Sequence, residues 1–237
     1  VDFISEKLKC STIKSPSSEI NNKILLEHMA KKFKSIIIST GASNMNECFL
    51  SKKWVKNINK NLELLFMHCV SEYPSPMHHA NLNAIKSMQK KLKVPIGLSD
   101  HTDNIATSIM SIEKKCVLIE KHYTLDKKMM GPDHKASLEP KELKLLSNVL
   151  KNHKIIMGNG IKIPQISEKK NRSLIRKSAV CSKKYLNKDS IIQLEDMNFK
   201  RPYVLGSVNP ENYEKFIGKK IKKKIYFDKP FLIKHLK

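Results

Sequence analysis

Arginine is almost absent from this basic sequence: Arg172, Arg176 and Arg201 are its only arginines among 45 basic residues. Proteins that bind nucleic acids rely on arginine for bidentate contacts to phosphate and guanine. The lysines are spread along the whole chain and form no patch. The formal net charge of +23 therefore reflects a composition bias. Because net charge alone bears on solubility and non-specific association, we expect no nucleic-acid partner.

Long apolar runs and paired cysteines are missing as well. No stretch approaches the roughly 20 apolar residues that a membrane-spanning helix needs, so we expect no membrane partner. The five cysteines are widely spaced, and no Cys-x-x-Cys pair occurs. This pattern is typical of reduced, mostly buried thiols and predicts a cytoplasmic protein. No Gly-x-Gly-x-x-Gly loop, Walker-type loop or Gly-x-Ser-x-Gly elbow indicates a nucleotide-binding sheet or a serine nucleophile.

Up to about residue 157, apolar strand-like runs alternate with helical stretches. The candidate strands are Ser11–Lys14, Ser35–Ser39, Glu63–Cys69, Pro95–Ser99 and Cys116–Lys121. The candidate helices are Lys23–Lys32, Asn46–Ile58, Asn81–Leu92, Ile105–Lys114 and Pro140–Asn152. Strict alternation predicts an α/β fold with a parallel sheet and crossover helices. The sheet is either an open doubly wound sheet or the later part of an eight-stranded barrel.

Two histidines follow neighbouring candidate strands. His101 closes the run that begins at Val94, and His122 closes the run that begins at Val117. Their separation is about one βα unit, so both imidazoles are expected at the same end of adjacent parallel strands, where α/β proteins place their active sites. Two neutral imidazoles there form a plausible pair of ligands for a divalent metal. The alternative is that each histidine caps a strand end by hydrogen bonding.

The pattern changes after Gly158-Asn159-Gly160. Residues 159–172 are polar and contain Pro164, which predicts a linker. From residue 173 to 237 the apolar runs are short and irregular, which predicts a small, mainly β domain near the lower size limit for independent folding.

Several motifs together resemble one enzyme family. They are Ile13-Lys14-Ser15-Pro16-Ser17-Ser18-Glu19, Ser39-Thr40-Gly41, His68-Cys69-Val70-Ser71-Glu72-Tyr73-Pro74, Gly97-Leu98-Ser99-Asp100-His101-Thr102, Ile119-Glu120-Lys121-His122-Tyr123-Thr124-Leu125-Asp126 and Gly131-Pro132-Asp133-His134. In order and spacing they resemble the sialic acid synthase (N-acetylneuraminate synthase) family. The resemblance implies an incomplete (β/α)8 TIM barrel over residues 1–158, from about strand four to strand eight. An antifreeze-like (SAF) domain would follow over residues 173–237. It also implies an N-terminal truncation that removes a catalytic glutamate and a phosphate-binding lysine.

The implied reaction is a transfer in sialic acid biosynthesis. Phosphoenolpyruvate condenses with N-acetylmannosamine, or with a related N-acetylated hexose, to give a nine-carbon sialic acid and phosphate. Three alternatives stay open: a legionaminate or pseudaminate synthase, a spore-coat sugar synthase, and an inactive truncated remnant.

The resemblance also assigns roles to individual residues. His101 and His122 correspond to the ligands of a divalent metal, Mn²⁺, which acts as a Lewis acid on the sugar aldehyde. Lys14 corresponds to a ligand of the phosphate or carboxylate of phosphoenolpyruvate. Glu19 is a candidate for proton transfer or for handling the attacking water. Strand-end hydroxyls suited to phosphate oxygens are those of Ser39, Ser71 and Ser99.

Three further residues are assigned to the sugar. Tyr73 and Asp133 resemble sugar-contacting residues; the alternatives are packing for Tyr73 and a Pro-Asp turn for Asp133. Arg201 resembles an arginine that reaches the active site of a partner subunit in a domain-swapped homodimer. Ser18 stands where the family usually has glycine, so a side chain is expected to crowd a tight turn there.

Overall fold

The computed structural model describes residues 1–237, and its first unit, residues 1–158, is built around a five-stranded parallel sheet. The strand order follows the chain. The strands are β1 Thr12–Ser15, β2 Ser35–Ser39, β3 Glu63–Cys69, β4 Ile96–Asp100 and β5 Ile119–Lys121. The helices of this unit are α1 Lys23–Lys32, α2 Met45–Ile58, α3 Asn83–Leu92, α4 Ala106–Ser111 and α5 Pro140–Met157. The predicted α/β alternation is therefore confirmed.

The sheet curls into half a barrel. In a flat sheet the two edge strands β1 and β5 would lie about 19 Å apart, because neighbouring strands are spaced by about 4.8 Å. Lys14 on β1 nevertheless places its Nζ atom 3.2 Å from Oε1 of Glu120 on β5. Strong curvature brings these edges together across the concave side, as expected for a partial TIM barrel.

The convex face of the sheet carries the hydrophobic core. Register pairs such as Ile38 with Phe66 and Phe66 with Ile96 place these side chains on one face, where they form one buried cluster with Leu26 of α1 and Val55 of α2. Phe66 is fully buried, and burying a side chain of this size contributes about 1.5–3 kcal/mol. The opposite, concave face is free to carry polar side chains.

Helix starts follow local sequence signals. Asn44 caps α2 and forms a reciprocal capping box with Glu47. Helix α5 begins at Pro140, and Glu139 and Glu142 form a similar capping box around its first turn. Side chains of this kind satisfy the first backbone N–H groups of a helix, which have no partner within the helix itself.

Most predicted boundaries agree with the structure, but β5 is shorter than expected. It begins at Ile119 and not at Cys116. Lys115 adopts a left-handed conformation at the end of the preceding turn, and residues 117–118 only begin the pairing with β4 through single backbone hydrogen bonds. An apolar run alone does not show where such a turn ends.

The second unit, residues 159–237, contains one helix and four short strands. They are α6 Ile166–Ile175, β6 Ser178–Cys181, β7 Tyr185–Leu186, β8 Met197–Lys200 and β9 Ile225–Tyr226. Strand β6 pairs antiparallel with β8, and β7 pairs antiparallel with β9. They enclose a separate apolar core that includes Phe231 and Ile192.

The predicted linker over residues 159–172 is helical in its second half, because α6 begins at Ile166. Gln165 and Glu168 form a capping box at its start. Glu168, Lys169, Lys170 and Arg172 are good helix formers. The polar composition of this segment is therefore that of a solvent-exposed helix, none of whose residues is buried. Over the whole chain, no helix is long and apolar enough to cross a membrane.

Candidate active site at the carboxyl end of the half-barrel

A cavity of about 310 Å³ lies at the carboxyl ends of the strands in the first unit. Seven of the ten predicted site residues line it: Lys14, Ser39, Ser71, Tyr73, Ser99, His101 and His122. They come together because parallel strands all end at the same edge of the sheet. Ser39 and Ser99 lie within strand ends, whereas Ser71 lies two residues beyond β3 and not at its end.

His101 and His122 are neighbours at the floor of this cavity. Their ring centroids are 5.2 Å apart, and the ring planes are perpendicular. His101 is 6% exposed, and its Nδ1 lies 2.6 Å from the carbonyl oxygen of Val70. When Nδ1–H donates to this carbonyl, Nε2 is the unprotonated nitrogen of the neutral ring and carries its lone pair. Burial lowers the pKa of His101, which favours the neutral form that binds metals.

The two imidazoles are the side chains here that could serve as ligands of a divalent metal. A backbone carbonyl that fixes the ring of a ligating histidine is a common supporting contact in metal sites, and Val70 provides it for His101. No group of three or more His, Cys, Asp or Glu side chains is arranged to hold a metal ion. A metal held by these two imidazoles would keep most of its coordination sphere for water and substrate.

Glu120 is a site residue that the sequence interpretation missed. Its carboxylate is 3.2 Å from Lys14 Nζ and accepts a hydrogen bond of 2.7 Å from Ser99 Oγ. Ser99 Oγ is also 3.2 Å from His101 Nε2, but a hydroxyl donates only one proton. The Ser99 proton goes to Glu120, so His101 Nε2 keeps its lone pair. The available signal was a glutamate inside an apolar strand, two residues before His122.

A second group of polar side chains forms a cradle beside Gly41. The backbone N–H of Gly41 donates to Ser17 Oγ at 2.9 Å, and Ser17 Oγ lies 3.3 Å from Cys69 Sγ. Ser39 Oγ is buried without a hydrogen-bond partner, although buried polar groups are normally paired. With Lys14 in the same cavity, these groups offer hydroxyl donors and one positive charge to an anion.

Gly41 makes room for this cradle. A Cβ atom at this position would lie 2.1 Å from Ser71 Oγ and 2.8 Å from Ser17 Oγ. We expect Gly41→Ala to displace both hydroxyls and to weaken phosphate binding by about ten- to a hundredfold, since a hydrogen bond to a charged group contributes about 1.5–3 kcal/mol. Calorimetric titration with inorganic phosphate measures the change. Ser87→Ala on the exposed face of α3 is the control, and an unchanged affinity of Gly41→Ala would contradict the cradle.

Tyr73 packs against both imidazoles. Its ring centroid is 4.2 Å from that of His101 and 5.5 Å from that of His122. Tyr73 remains 44% exposed, so its outer edge is accessible to a ligand in the cavity. Burial of its inner edge raises the pKa of its hydroxyl, which keeps the phenol protonated at neutral pH.

Three predicted residues do not line the cavity. The Glu19 carboxylate accepts from Asn22 Nδ2 at 2.7 Å, because the turn Ser17–Glu19 directs it toward the start of α1. Asp133 lies at the rim, with Oδ2 3.6 Å from His122 Nδ1. Arg201 belongs to the second unit and is exposed. Its role and the homodimer therefore stay predictions of the resemblance.

The expected crowding at Ser18 does not occur. Ser18 is exposed and is not among the residues with positive φ. Any L-residue can therefore adopt its backbone conformation without strain.

Comparisons with known proteins agree with the motifs. The model of the NeuB family matches residues 1–162. The N,N'-diacetyllegionaminic acid synthase of Campylobacter jejuni is 41% identical over 220 residues, which cover 92% of this chain and 65% of that protein. Human N-acetylneuraminate-9-phosphate synthase is 32% identical over 222 residues, which cover 93% of this chain and 60% of that protein.

Among solved structures, the chain is similar to the N-acetylneuraminic acid synthetase of Leptospira borgpetersenii. The TM-score is 0.60 at 33% sequence identity, and the match covers 70% of this chain and 58% of that one. The chain thus spans less than two thirds of the length of each of these three relatives.

Proposed function

The chain belongs to the NeuB family, and we propose that it is the metal-binding and anion-binding part of a nine-carbon sugar acid synthase. In the proposed reaction, phosphoenolpyruvate condenses with an N-acetylated hexose such as N-acetylmannosamine, and phosphate is released. The observation that carries the proposal is the convergence of His101, His122, Lys14 and the serine hydroxyls on one cavity. A cation site beside an anion cradle suits two substrates of this chemistry.

Each side chain has a proposed task. Lys14, Ser17 and Ser39 would bind the phosphate or carboxylate of phosphoenolpyruvate and orient its enol carbon. A divalent cation on His101 and His122, Mn²⁺ by the resemblance, would supply a Lewis acid at the aldehyde oxygen of the sugar. The enol carbon then forms a bond to the aldehyde carbon, water adds to the former enol carbon, and phosphate leaves by C–O cleavage.

Glu120 replaces Glu19 in our assignment of the proton acceptor. It is the carboxylate that lines the cavity, whereas the Glu19 carboxylate is bonded to Asn22. A general base must lie within hydrogen-bond reach of the proton that it removes. Glu120 therefore suits the role of taking a proton from the attacking water, and its ion pair with Lys14 would give way to the incoming anion.

The acceptor sugar has a second candidate. The Campylobacter jejuni relative at 41% identity is named for N,N'-diacetyllegionaminic acid, as is a Legionella pneumophila relative at 31% identity, while the mouse N-acetylneuraminate-9-phosphate synthase is 39% identical over 60% of this chain. We therefore propose a hexose with two N-acetyl groups as the alternative acceptor.

The direct test is turnover by the purified chain. It is incubated with phosphoenolpyruvate, Mn²⁺ and either N-acetylmannosamine or a 2,4-diacetamido hexose. Phosphate release and the mass of a nine-carbon acid are then measured. Release that depends on one sugar supports the proposal and identifies the acceptor. If neither sugar causes release while phosphoenolpyruvate and Mn²⁺ still bind, this chain alone does not condense either sugar with phosphoenolpyruvate.

We expect Lys14→Ala to weaken phosphoenolpyruvate binding by about ten- to a hundredfold, because a charge-assisted hydrogen bond to a phosphate or carboxylate is lost. The contact exists before the transition state, so it affects the Michaelis constant more than the turnover number. Calorimetric titration with phosphoenolpyruvate measures the loss. Lys86→Ala on the exposed face of α3 is the matched control, and equal affinities for the two variants would disprove the role of Lys14.

A further inference from the structure

A buried ion pair stands directly behind the two histidines. Asp100 immediately precedes His101, and Lys121 immediately precedes His122. Oδ2 of Asp100 is 3.2 Å from Nζ of Lys121, and the two side chains are only 1% and 3% exposed. The cavity described above does not include either residue.

The pair faces away from the cavity because of the strand register. Asp100 is paired with Lys121 across β4 and β5, and Ser99 is paired with Glu120. Alternate residues of a strand point to opposite faces, so Ser99 and Glu120 face the cavity while Asp100 and Lys121 lie under α4. Each strand ends at the charged residue, and the next residue is the histidine.

Asp100 and Lys121 together hold the backbone on both sides of His101. The Asp100 carboxylate accepts from the Thr102 N–H at 2.9 Å, the Thr102 hydroxyl at 2.8 Å and the Ser108 hydroxyl at 2.6 Å. Lys121 Nζ donates to the carbonyl oxygen of Thr102. The residues on both sides of His101, Asp100 and Thr102, are therefore bonded to Lys121, which immediately precedes His122.

Stability alone does not account for such a pair. Desolvation of two buried charges offsets most of their attraction, and well-packed apolar residues often serve as well or better. Buried polar groups with every partner satisfied do, however, specify one arrangement of the backbone. The arrangement specified here is the one that sets two imidazoles side by side.

We propose that the Asp100–Lys121 pair is a positioning device that fixes the relative placement of His101 and His122. Its consequence for metal binding rests on the proposed function, but its effect on the two rings does not. Without the ion pair, β4 and β5 keep their ladder, but the turns that carry the histidines lose their common anchor. The rings then occupy a range of separations, and a cation that needs both loses affinity.

The test compares the parent chain with Asp100→Asn/Lys121→Met. This double variant removes both charges, approximately keeps both volumes, and leaves the Asn oxygen able to accept from Thr102. Lys127→Met, which breaks the more exposed Lys127–Glu142 pair, is the control for the loss of one lysine. Ser108→Ala removes one donor to Asp100 and serves as a milder variant, and the single variants Asp100→Asn and Lys121→Met are used if the double variant does not fold.

Two measurements separate positioning from a merely structural role. Proton NMR measures the nuclear Overhauser effect between the two imidazoles, assigned with His101→Gln and His122→Gln, and needs neither metal nor activity. We expect this effect to persist in Lys127→Met, weaken in Ser108→Ala and disappear in the folded double variant. Mn²⁺ affinity should fall by about ten- to a hundredfold in the double variant, as for other supporting residues of metal sites.

An Overhauser effect of parental intensity in the folded double variant would overturn the proposal. If that variant does not fold, parental intensity in a folded single variant, Asp100→Asn or Lys121→Met, would do the same. If the double variant loses the Overhauser effect and the parent chain shows no turnover, the positioning role is supported. The lack of turnover then counts only against the proposed synthase. The two hypotheses therefore fail by different results.

Discussion

His101→Ala and His122→Ala should each abolish sugar acid synthesis and leave the fold intact. Both imidazoles lie at the carboxyl end of the half-barrel, where residues serve function more than core packing, and neither belongs to the apolar core. In the proposed reaction, His101 and His122 would hold a cation that supplies a Lewis acid, and losing one of them would raise the barrier by several kcal/mol. The turnover number should fall by about 10²–10³-fold or more, since each 1.36 kcal/mol is tenfold in rate.

Phosphate release and Mn²⁺ calorimetry, with circular dichroism for the fold, measure these effects. His153→Ala is the matched control, because His153 pairs with Glu113 on another face of the first unit. Calorimetry keeps the test valid for a chain that turns over slowly. Parental Mn²⁺ affinity in both His101→Ala and His122→Ala would show that the two histidines are structural.

The sequence was sufficient for the histidine pair and for the sheet around it. The sequence predicts Ser35–Ser39 and Glu63–Cys69 with the bounds that the structure has, because each is an apolar run between polar turns. The spacing of His101 and His122 is one βα unit, and one such unit always connects adjacent parallel strands here. Local pattern and topology therefore agree at this place.

Glu120 could not be found in the same way, because its partner is distant in the chain. The contact with Lys14 depends on the curvature of the sheet, which is the sum of small twists over five strands. The two-residue periodicity of a strand shows on which face of the sheet Glu120 lies. It does not show which residue of a distant strand lies across from it. The direction of the Glu19 carboxylate could not be predicted for a similar reason, because one helical turn decides which way it points.

The helix α6 shows the limit of composition as evidence. Residues 166–175 have the polarity of a linker, but polarity alone does not separate a linker from an exposed helix. The reciprocal Gln165 and Glu168 contacts were the available signal for its start. The antifreeze-like character of residues 173–237 stays a prediction, because the family model matches only residues 1–162.

The largest stability effect is expected for Lys121→Met. This change leaves Asp100 as an unpaired charge with a side chain that is 1% exposed, and breaking a buried ion pair in this way costs about 3–5 kcal/mol. The three hydrogen bonds that Asp100 accepts from Thr102 and Ser108 remain, so the lower end of this range is expected. Asp100→Asn/Lys121→Met should be more stable than Lys121→Met, because it has no orphaned charge.

Urea unfolding followed by tryptophan fluorescence measures this loss without interference from the second unit. Trp54 is the only tryptophan of the chain, and it packs against the core of the first unit. Lys127→Met should change the midpoint little, since exposed pairs contribute at most about 1 kcal/mol. If Lys121→Met unfolds at the same urea concentration as Lys127→Met, the Asp100 carboxylate is hydrated or protonated in Lys121→Met. Asp100 is then not held as a buried anion. If the double variant recovers stability but not the proximity of the two rings, the ion pair is retained for the geometry of the histidines.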